Sequence, residues 1–256
     1  MPRVLSAFIG LMLCAPALAP AWAITGNAPP ASGFAARSLV MVVDARGDLC
    51  TGTALAPDLV LTAAHCVTGR LAYTVKTFQG GPSISVRGVA AHPRFNAASY
   101  AASRATADVA LLKLSAPLAN LVMPARLAPA RNVAVGETLT IAGFGVTAAG
   151  TARGLGLPRM AKLSVTGKPG SLQIRLFDLA TRNQRAGLGA CTGDSGAPVF
   201  DGETAQGMGQ VTGVVSWSTA PNDEEGCGGL TGVTPLLLYR AWILDTARKF
   251  NSPLAP

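Results

Sequence analysis

The sequence predicts an all-β protein in two units, closed by a C-terminal α-helix, and three observations predict it. Its 256 residues include 29 glycines and 18 prolines spread without a fixed period, punctuation that suits many short strands and rules out a collagen-like repeat. Between these breaks lie short apolar or alternating runs, with a proline-rich stretch, Pro117 to Ala130, reading as the linker between two halves. Only Pro235 to Phe250 has helical character: Pro235 suits a first turn, Leu238, Trp242 and Asp245 to Arg248 follow the helical period, and the end is basic. With 49% hydrophobic and 13% charged residues, the chain can bury enough apolar surface to offset its ordering entropy, which excludes disorder.

The elements follow in order. Arg3, the apolar run Val4 to Leu18 and the small-x-small triplet Ala21-Trp22-Ala23 have the layout of an export signal, residues 1–23, cleaved after Ala23. The apolar run is too short and too interrupted by Pro16 to span a bilayer, and no later run reaches the roughly 18 to 20 residues required. The mature protein is therefore expected to be secreted or periplasmic, with no membrane association after cleavage. Leu39 to Ala45 and Leu49 to Leu55 flank Arg46-Gly47-Asp48 as a hairpin. Pro57-Asp58 turns the chain into the strand Leu59 to Thr62, and further strands are predicted over Val86–Ala90, Val109–Leu114, Thr138–Ala142, Leu172–Phe177 and Val211–Trp217. No residue-level repeat is present.

The net charge of +8 comes from 21 basic and 13 acidic residues, but the tightest basic groupings are only Arg182/Arg185 and Arg248/Lys249. That describes a basic solvated exterior and gives nucleic-acid binding no support. Of five cysteines, Cys14 lies in the export signal, leaving Cys50, Cys66, Cys191 and Cys227. Four cysteines in an oxidising compartment indicate two disulfides, with three pairings open. Zinc is a poor rival, because there is no C-x-x-C and the only histidines are His65 and His92.

The chemistry gathers at three places. Thr62-Ala63-Ala64-His65-Cys66 follows a buried strand, Asp108 opens the strand ending at Leu114, and Cys191-Thr192-Gly193-Asp194-Ser195-Gly196-Ala197-Pro198 is a glycine-rich turn. Serine nucleophiles need a base to take their proton and a third group to orient that base. Glycines beside the serine let backbone N–H groups turn toward a developing oxyanion. Each motif alone has a bland explanation, whereas the three in this order, with a cysteine beside the histidine, are specific.

On these residues the chain resembles secreted serine proteases of the chymotrypsin/trypsin family. The likeness runs from Ile24-Thr25-Gly26-Asn27, similar to the family's mature N-terminus, to the C-terminal helix, with Gly143-Phe144-Gly145 and Ser216-Trp217 as weaker support. The resemblance implies the chymotrypsin-like fold, two antiparallel six-stranded β-barrels over residues 24–125 and 126–256. It implies Ser195 as nucleophile, His65 as general base and then acid, Asp108 orienting His65, and the N–H groups of Gly193 and Ser195 as oxyanion hole. It also pairs Cys50 with Cys66 and Cys191 with Cys227. His92, the alternative base, sits in an Ala-His-Pro stretch that resembles family sequence outside the active site.

Other implications concern substrate and activation. The position six residues before the nucleophile, where an Asp typically confers cleavage after Arg or Lys, is Gly189, and Asn183 to Ala190 contains no acid. With Ser216, Trp217 and Ser218 along the substrate, this implies preference for apolar, small-to-medium residues; Asp223-Glu224-Glu225 reads as a solvated acidic run. A free amine on Ile24 would pair with Asp194, and cleavage after Ala23 would release it directly. Thr68 to Arg87 has no Asp or Glu, so no calcium site is expected there, and no metal or cofactor elsewhere. The partners implied are protein or peptide substrates, met by a monomer. A catalytically silent, peptide-binding relative is the competing function class, and the intact His65, Asp108 and Ser195 argue against it.

Overall fold

The computed structural model describes residues 24–69, 71–118, 122–167, 171–201 and 210–255. The expected export signal, with Cys14, lies outside the described residues. The first barrel is built from β1 (Leu39–Asp44), β2 (Leu49–Ala56), β3 (Leu59–Thr62), β4 (Tyr73–Lys76), β5 (Ile84–Ala91) and β6 (Ala110–Leu114), closed in the order β1-β2-β3-β6-β5-β4. Ahead of it lies the short helix α1 (Gly33–Ser38), and between β5 and β6 lies α2 (Ala97–Ala101). The predicted β1–β2 hairpin forms because the Asp44 carboxylate accepts the N–H groups of Arg46 (2.8 Å) and Asp48 (3.0 Å), replacing ladder bonds at the tip.

The apolar runs of β3 and β6 are continuous because both faces of these strands are covered. Val60, Ala110, Leu112 and Leu114 point into the barrel with Val40, Val42 and Val75. Leu59, Leu61 and Leu111 point outward, into a second core shared with Phe144, Phe200, Tyr239 and Ile243. Fully burying one such side chain contributes about 1.5–3 kcal/mol, so this shared core welds the two halves together.

The second half contains β7 (Arg126–Leu127), β8 (Thr138–Gly143), β9 (Arg159–Gly167), β10 (Ile174–Phe177), β11 (Pro198–Asp201), β12 (Gln210–Ser218) and β13 (Thr231–Pro235). Six of these close into an antiparallel barrel, β11-β8-β9-β10-β13-β12, through the β11–β12 pairing; β7 adds parallel to β12 at its outer edge. The core holds Leu139, Ile141, Leu163, Val165, Leu176, Val199, Val215 and Val233. Ile24 and Ala28 cross over to join it, and Thr25 bridges Gly189 through a 3.1 Å backbone bond.

The C-terminal helix is shorter than the sequence predicts. Pro235 pairs with Gly213 as the last residue of β13, a 3-10 turn follows over Leu236–Leu238, and α3 spans Arg240–Lys249. The β12 partner extends that far, and proline with ψ 128 continues the strand where a helix start needs a negative ψ. Beyond α3 the chain returns to the first barrel. There the buried Lys113 ammonium donates to Asp58 and Ser252, and the Ser252 hydroxyl donates to Asp58.

Candidate active site

The register of the first barrel brings two distant sequence motifs together. Thr62 at the end of β3 pairs with Ala110 at the start of β6, so His65, three residues past one strand, meets Asp108, two residues before the other. Asp108 is buried (1% exposed) and receives three donors. The His65 N–H reaches Oδ1 at 2.9 Å, the His65 Nδ1 reaches Oδ2 at 2.8 Å, and the Ser216 hydroxyl reaches Oδ2 at 2.5 Å. An ionised carboxylate only accepts, so Nδ1 carries the proton and Nε2 is left with a free lone pair. The imidazole keeps 16% of its side-chain surface exposed. Tyr100 covers one of its faces, with ring centroids 4.4 Å apart and planes 12° from parallel.

Ser195 arrives from the second barrel and is stapled to the first by Thr51 of β2. The Thr51 N–H donates to the Ser195 carbonyl (2.8 Å), its hydroxyl donates to the Gly193 carbonyl (2.8 Å), and that hydroxyl accepts the Phe144 N–H (3.1 Å). No hydrogen bond joins the Ser195 hydroxyl to His65 Nε2 among the described residues, a looseness common before substrate tightens such sites. In the turn, the N–H groups of Asp194 and Gly196 are committed to Cys191 and Val215. Those of Gly193 and Ser195 donate to no acceptor among the described residues. Gly193 has φ +93, a left-handed conformation that glycine adopts without a β-carbon penalty.

Beneath the turn, the Asp194 carboxylate is fully buried and accepts the N–H groups of Gly145 (2.8 Å) and Cys191 (2.9 Å). Burial pushes its pKa up to about 7, against those two hydrogen bonds. The Gly143-Phe144-Gly145 triplet is explained by this contact: a β-carbon at Gly143 would lie 2.2 Å from Oδ1, and one at Gly145 would lie 2.5 Å from Cγ. Ile24, 1% exposed, packs in the same core as Ala190 and Ala197 on either side of the turn.

Both disulfides frame the site. Cys50–Cys66 ties β2 to the His65 loop with Cα atoms 6.3 Å apart, and Cys191–Cys227 ties the serine turn to the loop before β13 with Cα atoms 5.0 Å apart. Cys50, His65 and Cys66 hold three ligand-type atoms within 4.8 Å, but the sulfurs are bonded to each other and supply no thiolate for a metal.

Ser216, Trp217 and Ser218 border a groove of about 660 Å³. Their strand β12 pairs with β11 only as far as Val214 and with β13 on its other side, so residues 216–218 present an open edge to the groove. Gly189 does not line it; it is buried, and a β-carbon there would lie 3.3 Å from the Gly228 Cα. Asp223, Glu224 and Glu225 are exposed as the sequence predicts, yet they also border the groove, alongside Arg104 and Arg175. His92 packs against the start of the C-terminal helix. It is wedged between Tyr239 and Trp242 at 4.8 and 4.9 Å, with burial and then the Arg94 charge lowering its pKa. Two residues of the site, Thr51 and Tyr100, are not among those the sequence singles out.

Comparison with known proteins agrees with this geometry. The family model described as Trypsin matches residues 26–243. The chain is 28% identical to snake venom serine protease rhinocerase 4 of Bitis rhinoceros over 221 residues, 81% of each chain. It is also 28% identical to serine protease 1 of Canis lupus familiaris, covering 77% of this chain and 79% of that one. Kallikrein 1-related peptidase b22 of Mus musculus is 28% identical as well, over 78% and 81% respectively. With two closed barrels, two disulfides and a family match spanning most of its length, the chain belongs to the trypsin family of serine endopeptidases.

Proposed function

We propose that this endopeptidase works through an acyl-enzyme on Ser195. As Ser195 Oγ attacks the scissile carbonyl carbon, its proton passes to Nε2 of His65. The oxyanion of the tetrahedral adduct is received by the N–H groups of Gly193 and Ser195, and Asp108 stabilises the imidazolium. His65 then protonates the departing amine, the C–N bond breaks, and a water activated by the same nitrogen hydrolyses the ester. The observation that carries this reading is the triply bonded Asp108 with its 2.8 Å contact to His65 Nδ1. That contact orients Nε2 as the only free nitrogen of the ring.

The substrate is an extended peptide lying along the open edge of Ser216–Ser218, where main-chain hydrogen bonds can form. The residue preceding the scissile bond is apolar and of small to medium size. Gly189 and its neighbours Leu188 and Ala190 offer no acid to a cationic side chain, and an unpaired buried cation is costly. The acids Asp223, Glu224 and Glu225 border the groove together with the cations Arg104 and Arg175, so its lining is of mixed charge. The enzyme acts as a monomer; its two disulfides suit any oxidising compartment, and the relatives named as venom enzymes favour the extracellular space over the periplasm.

A fluorophosphonate probe and a peptide library test these statements together. The wild type should be labelled on Ser195 and Ser195→Ala should not. Cleavage should follow Val, Leu, Ala or similar residues. Labelling that survives Ser195→Ala would overturn the mechanism, and dominant cleavage after Arg or Lys would overturn the specificity.

A further inference from the structure

Tyr100 is the last tyrosine before the catalytic Asp108 and sits on α2, a helix of one turn whose geometry is fixed at its start. The Asn96 side chain accepts the Ser99 N–H at 2.7 Å, the Asn96 N–H is held by the Thr106 hydroxyl at 2.8 Å, and the Tyr100 N–H donates to the Asn96 carbonyl at 3.0 Å. Phe95 supports the Tyr100 ring from the side, with centroids 6.2 Å apart. On this base the phenol ring lies flat on the imidazole of His65. Its hydroxyl reaches past His65 to the Ser216 carbonyl at 3.2 Å. Ser216 in turn donates its own hydroxyl to Asp108, which accepts Nδ1 of His65. The four residues form a closed circuit, linked by three hydrogen bonds and one ring stack.

We propose that Tyr100 is a positioning residue for the His65 imidazole, fixing the tilt of the ring by stacking on its face while its tethered hydroxyl fixes the phenol. The inference rests on His65 being the general base. A hydrogen bond at Nδ1 pins one edge of the imidazole but leaves the ring free to tilt about that bond, which moves Nε2. A flat neighbour on one face removes this freedom, and the tether to the Ser216 carbonyl keeps that neighbour from swinging into the groove. Burial, and then the Asp108 charge, raise the phenol pKa, so the tether keeps its proton across the working range. The stack also places an aromatic face against the imidazolium that forms at each proton transfer.

The test compares wild type with Tyr100→Phe and Tyr100→Leu on p-nitrophenyl acetate, whose two-carbon acyl group does not extend to the groove at Trp217. His65 serves both halves of the reaction. Tyr100→Leu should therefore slow acylation and deacylation together, each about tenfold, well inside the roughly hundredfold that a 1 Å misplacement can cost. Tyr100→Phe, which keeps the stack, should slow both by about twofold to threefold. Melting temperatures should be unchanged, and the downfield resonance of the His65 Nδ1 proton should broaden in Tyr100→Leu. Unchanged ester kinetics in Tyr100→Leu, with losses confined to KM for peptides, would overturn the proposal and make Tyr100 a wall of the groove. Should Tyr100→Leu prove unstable, Tyr100→Phe decides alone: wild-type rates on the ester would overturn the proposal. Failure of the underlying mechanism has a different signature, because Ser195→Ala would then hydrolyse the ester as fast as wild type.

Discussion

The proposed pairing of a freed Ile24 amine with Asp194 would link maturation to catalysis, and a single inserted residue tests it. Among the described residues the buried Asp194 carboxyl accepts from two N–H groups, and burial holds it at about 7 instead of its ordinary 3.8. Burying it at neutral pH therefore costs roughly 4 kcal/mol relative to a solvated carboxylate, at 1.36 kcal/mol for each tenfold change. Losing one partner of a buried ion pair typically costs about 3–5 kcal/mol, an independent figure of the same size. Cleavage after Ala23 would turn the Ile24 nitrogen from an uncharged amide into an ammonium, in the core that already holds the Ile24 side chain. One Ala inserted between Ala23 and Ile24 moves that ammonium by about 3.3–3.6 Å of extended chain, beyond contact. The expected loss in kcat/KM on a peptide ester is about 10²- to 10⁴-fold, with the fold intact by circular dichroism. N-terminal sequencing of the purified active protein should return Ile24. Full activity with the inserted residue, or a fully active protein starting elsewhere, would refute the argument. In both forms stability falls as pH rises, but over different ranges. A carboxyl with a raised folded pKa makes the uncut chain lose stability as pH climbs from about 4 to 7. In the cut enzyme a paired amine, with a reference pKa of about 7.7–8.0, would be raised by the Asp194 carboxylate. Its contribution is complete below that range and disappears as pH rises through the new, higher value.

Three further outcomes follow from other parts of the molecule. Asp108→Asn should lower turnover near neutral pH by about 10⁴, the magnitude known for the family's prototype, with melting temperature little changed. Gly193→Ala places a side chain at φ +93 and 3.0 Å from the Gly145 Cα; it should cost about 10²–10³ in kcat by turning one oxyanion donor away, measured on a small ester. Lys113→Met removes the cation that, with Ser252, holds the Asp58 pKa low against the raising effect of burial. Asp58 keeps 29% of its side-chain surface in water, so the loss should be about 2 kcal/mol, below that of a fully buried pair. Calorimetry should then show the melting temperature falling by about 4–8 °C. Because the Asp58 pKa is depressed, the Lys113 contribution is present above about pH 4 and fades as pH falls through the lowered value, so the two proteins should converge in acid.

The strands that the sequence makes legible are those whose residues speak for one environment. The runs at Leu59–Thr62 and Ala110–Leu114 are apolar throughout because both faces are buried, and the β1–β2 hairpin announces its own turn. The strand Arg159–Gly167 is absent from the sequence-based prediction although it is nine residues long. Its core positions are Ala161, Leu163 and Val165, while Ser164 is buried and Lys162 is exposed. A small residue and a buried hydroxyl blur a period-2 pattern that only its pairing with β8 makes decisive. The helix beginning at Pro235 fails for the reverse reason: local preference for a proline start loses to the pairing of Pro235 with Gly213, a contact between residues 22 apart. Residues 24–30 likewise precede the first barrel in sequence yet pack on the second, which no composition shift announces.

The site divides along the same line. Residues proposed to react carry their chemistry in their type, so His65, Asp108 and Ser195 stand out wherever the fold puts them. Residues that hold the reacting groups are ordinary in type and acquire meaning from position alone. Thr51 reads as one more strand threonine, yet its N–H and hydroxyl fasten the Ser195 turn of one barrel to the other. Tyr100 reads as an aromatic in a loop of small residues, yet it lies on the His65 imidazole. Ser195 and His65 sit on separate barrels, so their alignment depends on bonds that cross between barrels, and the Thr51 bonds do so at the turn itself. A Thr51→Val change keeps the shape of the side chain and the backbone bond to Ser195 while removing the hydroxyl bonds to Gly193 and Phe144. It should therefore slow the acylation burst on a small ester by loosening the turn, although the Thr51 side chain itself never touches the proton in transit.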